Sequence, residues 1–151
     1  MKGFEGSSRE SRFRRWGSAC LLALFTGLSL TPWELHGQSV LPTNPNVVNG
    51  TASVSTNGGA MQVVNSNGAV INWDSFSIGA NNSVNFLQSG ADSSVLNRVV
   101  GHNLSEIYGS LTSNGKVFLI NQNGIFIGAN ATINTAGFLA STLDINNAEF
   151  K

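Results

Sequence analysis

Cysteine is almost absent from this chain of 151 residues, which contains one, Cys20. Because Cys20 lies in an apolar N-terminal stretch, the chain after about residue 38 has no thiol at all. This absence excludes disulfides, zinc–thiolate sites and cysteine nucleophiles from the larger part of the chain. It is also compatible with passage through an oxidising compartment as an unfolded, uncrosslinked chain.

Charge is scarce after residue 38. Residues 39–151 contain three basic and five acidic side chains, a net charge of −2, although the whole chain is neutral. Nucleic-acid binding requires a basic surface, so the sequence predicts no nucleic-acid partner. Asparagine takes the place of charge, because all 19 asparagines lie after residue 38. Recurring Val, Ile and Phe distinguish this composition from that of a charged, disordered chain.

The first 37 residues have the order of a secretory signal peptide. The basic cluster Arg12–Arg15 precedes the uncharged apolar run Ala19–Leu30, and Gly37 supplies a small residue for cleavage. The run has 12 residues, too few to cross a membrane as a helix. A core helix is the alternative, but it would need polar positions on one face. We therefore expect a signal peptide at 1–37, handled by the general secretion machinery, and a mature domain at 38–151.

Short β-prone runs separated by turns fill the mature part, and no helical apolar period extends over ten residues there. Turns are indicated at Asn57-Gly58-Gly59, Asn67-Gly68, Asn114-Gly115 and Asn123-Gly124. The predicted strands are Ala52–Ser55, Ala60–Val64, Ala69–Trp73, Ser75–Ile78, Ser83–Leu87, Ser93–Leu96, Glu106–Leu111, Lys116–Ile120, Ile125–Ile127, Ala131–Asn134 and Gly137–Leu143. Both a chain of hairpins and a solenoid fit this pattern.

Internal similarity favours the solenoid. The segment Ile78–Asn81 recurs identically as Ile127–Asn130, and Met61–Gly68 is similar to Val117–Gly124. Asparagine at turns can stack into hydrogen-bonded ladders without aligning like charges. The continuous apolar run Val117–Ile120 predicts a covering element or hairpin, because a strand with one solvent-exposed face would alternate apolar and polar residues. We therefore expect an all-β fold, a right-handed parallel β-helix with flanking short antiparallel strands.

Three long blocks resemble a known family, in its order and with its spacing. They are Ile71–Phe86 (INWDSFSIGANNSVNF), Ser94–Leu111 (SVLNRVVGHNLSEIYGSL) and Gly115–Ile145. Together they resemble the two-partner-secretion, or haemagglutination-activity, domain, which begins filamentous-haemagglutinin-like and haemolysin-like exoproteins of Gram-negative bacteria. Since such proteins usually continue much further, the resemblance also implies a domain truncated at its C-terminus.

The resemblance implies a function in export. Such domains cross the inner membrane unfolded and are recognised in the periplasm by POTRA domains of an outer-membrane β-barrel transporter. They fold outside the cell, where the first coils nucleate the remaining β-helix. The implied product is secreted or held at the cell surface, and for adhesins the host-cell surface is a further partner.

The resemblance also implies a secretion motif. The family's Asn-Pro-Asn-Gly turn corresponds to Asn121, Gln122, Asn123 and Gly124, with Gln122 in place of proline. We expect Gln122 to cost turn rigidity rather than abolish the turn, and Gly124 to adopt a positive φ.

A second set of residues comes from the block Ser94–Leu111. Asn97, Arg98 and Gly101 are candidate structural or recognition residues, and Arg98 matches a recurring arginine of the family. We expect Arg98 to pair with an aspartate or with backbone carbonyls, half-buried.

Two other function classes stay open. β-Helix enzymes that act on polysaccharides need two carboxyl groups roughly 5–10 Å apart, and Asp74 and Asp92 could meet on stacked coils. The single mature histidine, His102, lies in a Gly-His-Asn turn typical of a surface, and the Gly-rich segments lack a phosphate-loop lysine. We therefore expect no enzyme, metal site or cofactor. A standalone adhesin that binds host glycans or cells is the other alternative.

Overall fold

The computed structural model of the protein describes residues 40–150, whose regular structure consists entirely of strands. The predicted signal peptide at 1–37 lies outside the described residues. Within 40–150, no helix is long and apolar enough to cross a membrane. The strands are β1 (Asn46–Asn49), β2 (Ala52–Asn57), β3 (Ala60–Asn65), β4 (Ala69–Trp73), β5 (Ser83–Leu87), β6 (Ser94–Val99), β7 (Ser105–Ile107), β8 (Ser110–Ser113), β9 (Lys116–Ile120), β10 (Ile125–Ile127), β11 (Thr132–Asn134) and β12 (Gly137–Ser141).

The strands form three sheets that the chain visits repeatedly in the same order. One sheet has the order β1-β4-β6-β9-β12, another has the order β11-β8-β5-β3-β2, and a narrow third sheet pairs β10 with β7. From β3 onward, every pairing between successive coils is parallel. The chain therefore folds into a parallel β-solenoid of four coils: β3–β4, β5–β7, β8–β10 and β11–β12. This architecture confirms the predicted solenoid and excludes the chain of hairpins.

The two ends of the solenoid differ. At the first coil, β1 runs antiparallel to β4, and β2 runs antiparallel to β3. These are the flanking antiparallel strands that the sequence predicts, and they cover strand edges that would otherwise be open to pairing. At the other end, β10 of the third coil and β11 and β12 of the fourth coil pair on one side only within the described residues.

The main core fills the interior of the coils. Trp73, Phe76 and Phe86 are fully buried there, with ring centroids 5.6 Å apart for the first pair and 6.4 Å apart for the second. Strands alternate between buried and exposed residues, as in β3, where Met61 and Val63 point inward. Each such side chain contributes about 1.5–3 kcal/mol by burial, so stacked interiors stabilise successive coils together. The expectation that Trp73 and Phe76 fill the coil interior is confirmed.

A second apolar cluster lies on the outer face of β4, β6 and β9. Val70, Leu96 and Ile120 are buried there against Phe150. The ring of Phe118 meets that of Phe150 edge to face, with centroids 5.1 Å apart. The cover comes from residues 144–150, which we call the C-terminal strap. The predicted cover over the apolar run of β9 is thus confirmed, and it is a C-terminal segment.

The structure departs from the predicted strands at the corners. Ser75–Ile78 forms two isolated bridges, Thr43 to Ser75 and Ile78 to Ile107, instead of a continuous strand. Glu106–Leu111 is divided between β7 and β8, which belong to different sheets. β1 was not among the predicted strands, since its pairing with β4 depends on tertiary contacts.

The two internal similarities have different outcomes. Ile78 and Ile127 both pair with Ile107, so they occupy the same column two coils apart, as the repeated segment indicates. The similarity between Met61–Gly68 and Val117–Gly124 does not mark equivalent positions. The first segment includes β3 and the second includes β9, which lie in different sheets. An apolar strand followed by an Asn-Gly turn thus occurs at two different corners of the solenoid, between β3 and β4 and between β9 and β10.

Candidate functional site

The predicted secretion motif is the turn between β9 and β10. The amide of Gly124 donates a hydrogen bond to the carbonyl oxygen of Asn121 at 3.1 Å, which closes a four-residue turn. Gly124 has a φ of 115°, a region that side chains with a Cβ resist. Gln122 is exposed, and within residues 40–150 its amide donates no hydrogen bond. The turn therefore has the backbone requirements expected from the sequence.

Asn121 is fully buried and connects the turn to the neighbouring coils. Its side-chain nitrogen donates to the carbonyl oxygen of Asn103 and to the hydroxyl of Ser105, both at 3.0 Å. Its backbone amide donates to the carbonyl oxygen of Ser141 on the fourth coil at 3.0 Å. A buried amide with its partners satisfied in this way fixes three coils relative to one another.

Asn121 also shapes the turn from within. Its side-chain oxygen accepts hydrogen bonds from the backbone amide of Asn123 at 2.9 Å and from the side chain of Asn123 at 3.0 Å. The Asn123 side chain donates in addition to the carbonyl oxygen of Gly101 at 2.8 Å. Two asparagines thus hold the turn and attach it to the preceding coil.

Gly101 stands where two coils approach closely. A Cβ at this position would lie 2.0 Å from the carbonyl oxygen of Asp74, closer than any contact allows. The backbone at Gly101 therefore has no room for a side chain unless the first and second coils separate. The geometry gives Gly101 a packing function, and its function in recognition stays a prediction.

Arg98 points outward from β6 and binds the C-terminal strap. Its Nε donates to Oδ1 of Asp144 at 2.7 Å, one Nη donates to Oδ1 of Asn147 at 2.8 Å, and the other donates to the carbonyl oxygen of Ile145 at 2.5 Å. Its side chain is 14% exposed. Arg98 thus has an aspartate and a backbone carbonyl as partners, the two kinds of partner expected from the sequence.

Asn97 points inward from the same strand and satisfies polar groups of two other coils. The indole nitrogen of Trp73 donates to its side-chain oxygen at 3.0 Å, and its own nitrogen donates to the carbonyl oxygen of Phe118 at 3.3 Å. Because Asn97 is fully buried, it does not reach the surface. Asn97 therefore links three coils from the interior and does not belong to an asparagine ladder, since Ile71 and Leu119 are its register partners.

Residues of the predicted secretion motif and of the block Ser94–Leu111 line one surface groove. Arg98 and Gly101 from the second coil line it together with Gln122 and Asn123 from the turn and Asp144 from the strap. Asn97 and Asn121 support this groove from the interior. The structure therefore brings together residues that lie more than twenty positions apart in sequence.

The acidic residues considered for catalysis do not come together. Asp74 follows β4 and Asp92 precedes β6, and these strands are parallel with Trp73 opposite Val99, so the two acids lie at opposite ends of the pair. Asn44 donates to Asp74 at 2.7 Å, whereas Asp92 faces Lys116 at 4.0 Å. The expectation that the two could meet on stacked coils is wrong. Within residues 40–150, no group of His, Cys, Asp and Glu could hold a metal ion.

An exposed apolar surface on the narrow sheet was not anticipated from the sequence. Leu104, Tyr108 and Phe126 are 46%, 42% and 49% exposed, and the two rings lie 5.7 Å apart between centroids. We call these three residues the aromatic face. The alternation of β7, with Ser105 and Ile107 buried, could have revealed it. A hydrogen bond from the Tyr108 hydroxyl to Glu106 at 3.1 Å raises the pKa of Tyr108, as do desolvation and the charge of Glu106.

Comparison with known proteins decides the family. The TPS secretion domain matches residues 38–151. The chain belongs to the TPS secretion domain family. A heme/hemopexin-binding protein of Haemophilus influenzae is 47% identical over 106 residues, which cover 70% of this chain and 12% of that protein. A second protein of that description from the same species is 49% identical over 77 residues, 51% of this chain and 8% of the relative.

A solved structure supports the same assignment. The HMW1 secretion domain from Haemophilus influenzae superposes with a TM-score of 0.71 at 49% identity, covering 72% of this chain and 29% of that chain. The predicted family and the β-solenoid are confirmed. TPS secretion domains belong to secreted exoproteins that use a partner transporter in the outer membrane. This chain is therefore a secretion domain, and it spans a small part of the length of its relatives.

Proposed function

We propose that residues 38–151 form the recognition module by which an exoprotein finds its transporter and begins to fold. The general secretion machinery moves the chain across the inner membrane, and the signal peptide at 1–37 is removed after Gly37. POTRA domains of the outer-membrane β-barrel transporter then bind the module in the periplasm. The solenoid forms outside the cell and templates the coils that follow.

The observation that carries this proposal is the difference between the two ends of the solenoid. Antiparallel strands cover the first coil, whereas at the other end β10 of the third coil and β11 and β12 of the fourth coil have open edges within the described residues. Ile78 and Ile107 are fully buried, but Ile127, the next residue in that column, is 44% exposed. A further coil would bury Ile127 and pair the open edges, so growth is favoured at this end.

The relatives support a role in secretion over a role in ligand binding. One is described as a heme/hemopexin-binding protein and another as the secretion domain of HMW1, and both share this segment. A segment common to proteins of different description serves a step that they have in common. We therefore assign secretion to this domain as its main function.

The Asn121–Gly124 turn is the proposed recognition motif within the domain. The exposed side chains of Gln122 and Asn123 line the groove beside Arg98, while buried Asn121 sets their position. Such an arrangement offers polar side chains on a rigid support, as a recognition surface requires.

A second function, binding of host glycans or cells, is favoured by the aromatic face. Exposed rings provide a flat apolar surface on which a sugar ring can stack. A glycan array tests this function with three variants. Loss of binding in Tyr108→Ala and Phe126→Ala would support it, provided that Val64→Ala, a change at an exposed apolar residue elsewhere, still binds. Equal binding by all three variants, or none by the parent, would exclude it.

Transporter dependence tests the main proposal. The full chain is expressed in a Gram-negative host with a two-partner transporter, with the same transporter lacking its POTRA domains, and without a transporter. We expect the protein in the medium in the first case and in the periplasm in the other two. Mass spectrometry of the product should find Gln38 at its N-terminus. Equal amounts in all three media would refute recognition by POTRA domains, and an intact Met1 would refute cleavage.

A further inference from the structure

Five Asn-Gly pairs occur in the mature part of the chain, at Asn49, Asn57, Asn67, Asn114 and Asn123. In such a pair, the backbone nitrogen of glycine can attack the side-chain carbonyl carbon of asparagine, because glycine has no Cβ to obstruct the approach. The reaction requires the asparagine side chain to rotate towards that nitrogen. Hydrogen bonds that hold the side chain elsewhere therefore oppose it.

Four of the five side chains are held by other segments. Asn49 donates to the carbonyl oxygen of Gly68 at 2.8 Å, and Asn67 accepts from the amide of Ser94 at 3.0 Å. Asn114 both accepts from the amide and donates to the carbonyl of Gln88, at 2.7 Å in each case. Asn123 is held by Gly101 and Asn121, as described above.

Asn57 differs from the other four. It is the last residue of β2, it is exposed, and within residues 40–150 its side chain makes no hydrogen bond. The position of a Cβ on the following Gly58 has no heavy atom within 4 Å, as is also the case at Gly68, so the turn has room for a cyclic intermediate. The pair lies in the hairpin between β2 and β3, outside the parallel coils.

We propose that Asn57-Gly58 is a site of spontaneous deamidation in the folded protein. The nitrogen of Gly58 loses its proton and forms a bond to Cγ of Asn57, and the side-chain nitrogen leaves as ammonia, giving a succinimide. Water then adds to either carbonyl of the ring and opens it, which yields aspartate or isoaspartate. No oxidant, metal or enzyme takes part.

The product changes the edge of the sheet at the first coil. A carboxylate replaces the amide at the end of β2, and isoaspartate lengthens the backbone by one carbon atom at the terminal pair of Asn57 with Ala60. The remaining pairs from Ala52 to Thr56 are not altered. Because charge on an edge strand opposes pairing with another chain, deamidation protects this edge from further association.

Peptide mapping by mass spectrometry tests the proposal. The purified full chain is kept at mildly alkaline pH below its unfolding temperature, and each Asn-Gly peptide is followed over time, in buffer and in urea. In buffer we expect Asn57 to convert about tenfold faster than the other four, the factor that one or two hydrogen bonds provide. In urea the five rates should converge. The control Asn57→Ser should leave the folded chain almost unconverted over the same period.

Two results would overturn the proposal. One is a folded chain in which another Asn-Gly pair converts as fast as Asn57. The other is a rate of conversion at Asn57 that exceeds the other four rates by the same factor in urea as in buffer. The preference would then come from local sequence and not from the hydrogen bonds of the fold.

Discussion

Arg98 and Asp144 form an ion pair with a distance of 2.7 Å between Nε and Oδ1, although 46 residues separate them. Arg98 belongs to the second coil, and Asp144 begins the strap that follows the fourth coil. The side chains are 14% and 44% exposed, so the pair is partly shielded from solvent. This contact joins the middle of the solenoid to the segment that covers its outer apolar cluster.

Replacing Arg98 with alanine should release the strap. The variant loses hydrogen bonds from a charged group to Asp144, Asn147 and Ile145. We therefore expect its free energy of unfolding, measured in urea, to be about 1–3 kcal/mol lower than that of the parent. Hydrogen exchange at the amides of 145–150 should accelerate more than exchange in β4 or β9.

Two control variants test whether the lost contacts with the strap cause the lower stability of Arg98→Ala. Arg98→Lys keeps the charge but cannot make the same set of contacts, so it should fall between the parent and Arg98→Ala. Lys116→Ala removes an exposed pair with a distance of 4.0 Å and should change stability by less than about 0.5 kcal/mol. Equal stability of Arg98→Ala and Lys116→Ala would show that Arg98 does not secure the strap.

Gly101 and Gly90 provide a matched pair of glycine substitutions. Alanine at 101 places its Cβ against the carbonyl oxygen of Asp74, so two coils must separate at a cost of about 1–3 kcal/mol. Alanine at 90 meets no atom within 4 Å and should be neutral or slightly stabilising. Thermal unfolding of the two variants checks the prediction, and similar midpoints would contradict the close approach of the coils.

The turn at 121–124 should respond differently to each substitution. Gly124→Val strains the backbone at a positive φ and should lower stability by about 1–3 kcal/mol. Asn121→Ala leaves Ser105 and the carbonyl of Asn103 without a buried partner, which should cost a similar amount, about 1–3 kcal/mol. Gln122→Pro should raise stability by up to about 1 kcal/mol if φ there is near −65°. Urea unfolding gives all three values, and a destabilised Gln122→Pro would show that the turn rejects proline.

Tyr108 allows a test by direct titration, because it is the single tyrosine of the chain. Its hydrogen bond to Glu106 raises its pKa, so its phenolate absorbance should appear above pH 10.0, the ordinary value. In Glu106→Ala the midpoint should return towards that value. The raised pKa means that this contact stabilises the fold at lower pH and that its contribution is lost as pH rises through the pKa of Tyr108. Identical titration curves for the two proteins would contradict the assigned partner.

Local patterns in the sequence predict most strands of the solenoid. The runs Ala69–Trp73, Ser83–Leu87 and Lys116–Ile120 have the predicted bounds, because each is apolar inside and ends at Asn, Gly or a polar turn. The corners are less predictable. Glu106–Leu111 reads as one strand, but Ile107 pairs within the narrow sheet whereas Ser110 pairs with Ser83 on another.

The site was predictable as separate pieces only. The turn at 121–124 and the residue Arg98 stand out in sequence, and the structure places them in one groove. The strap was not predicted, since Asp144 and Phe150 carry no local signal for the surface that they cover. The residue pair Asn97 and Trp73 was also not foreseen, because their hydrogen bond depends on the stacking of two coils.

Secretion of the turn variants tests most directly whether this turn is the recognition motif. The parent, Gln122→Pro, Gly124→Val and the core variant Leu111→Ala are each co-expressed with the transporter, and the protein in the medium is quantified. Leu111 is fully buried outside the turn, and its truncation costs about 2–5 kcal/mol, so it serves as the control for lost stability. We expect Gln122→Pro to be secreted at least as well as the parent, and Gly124→Val less well than Leu111→Ala. Equal secretion of Gly124→Val and the parent would contradict a recognition function for the turn.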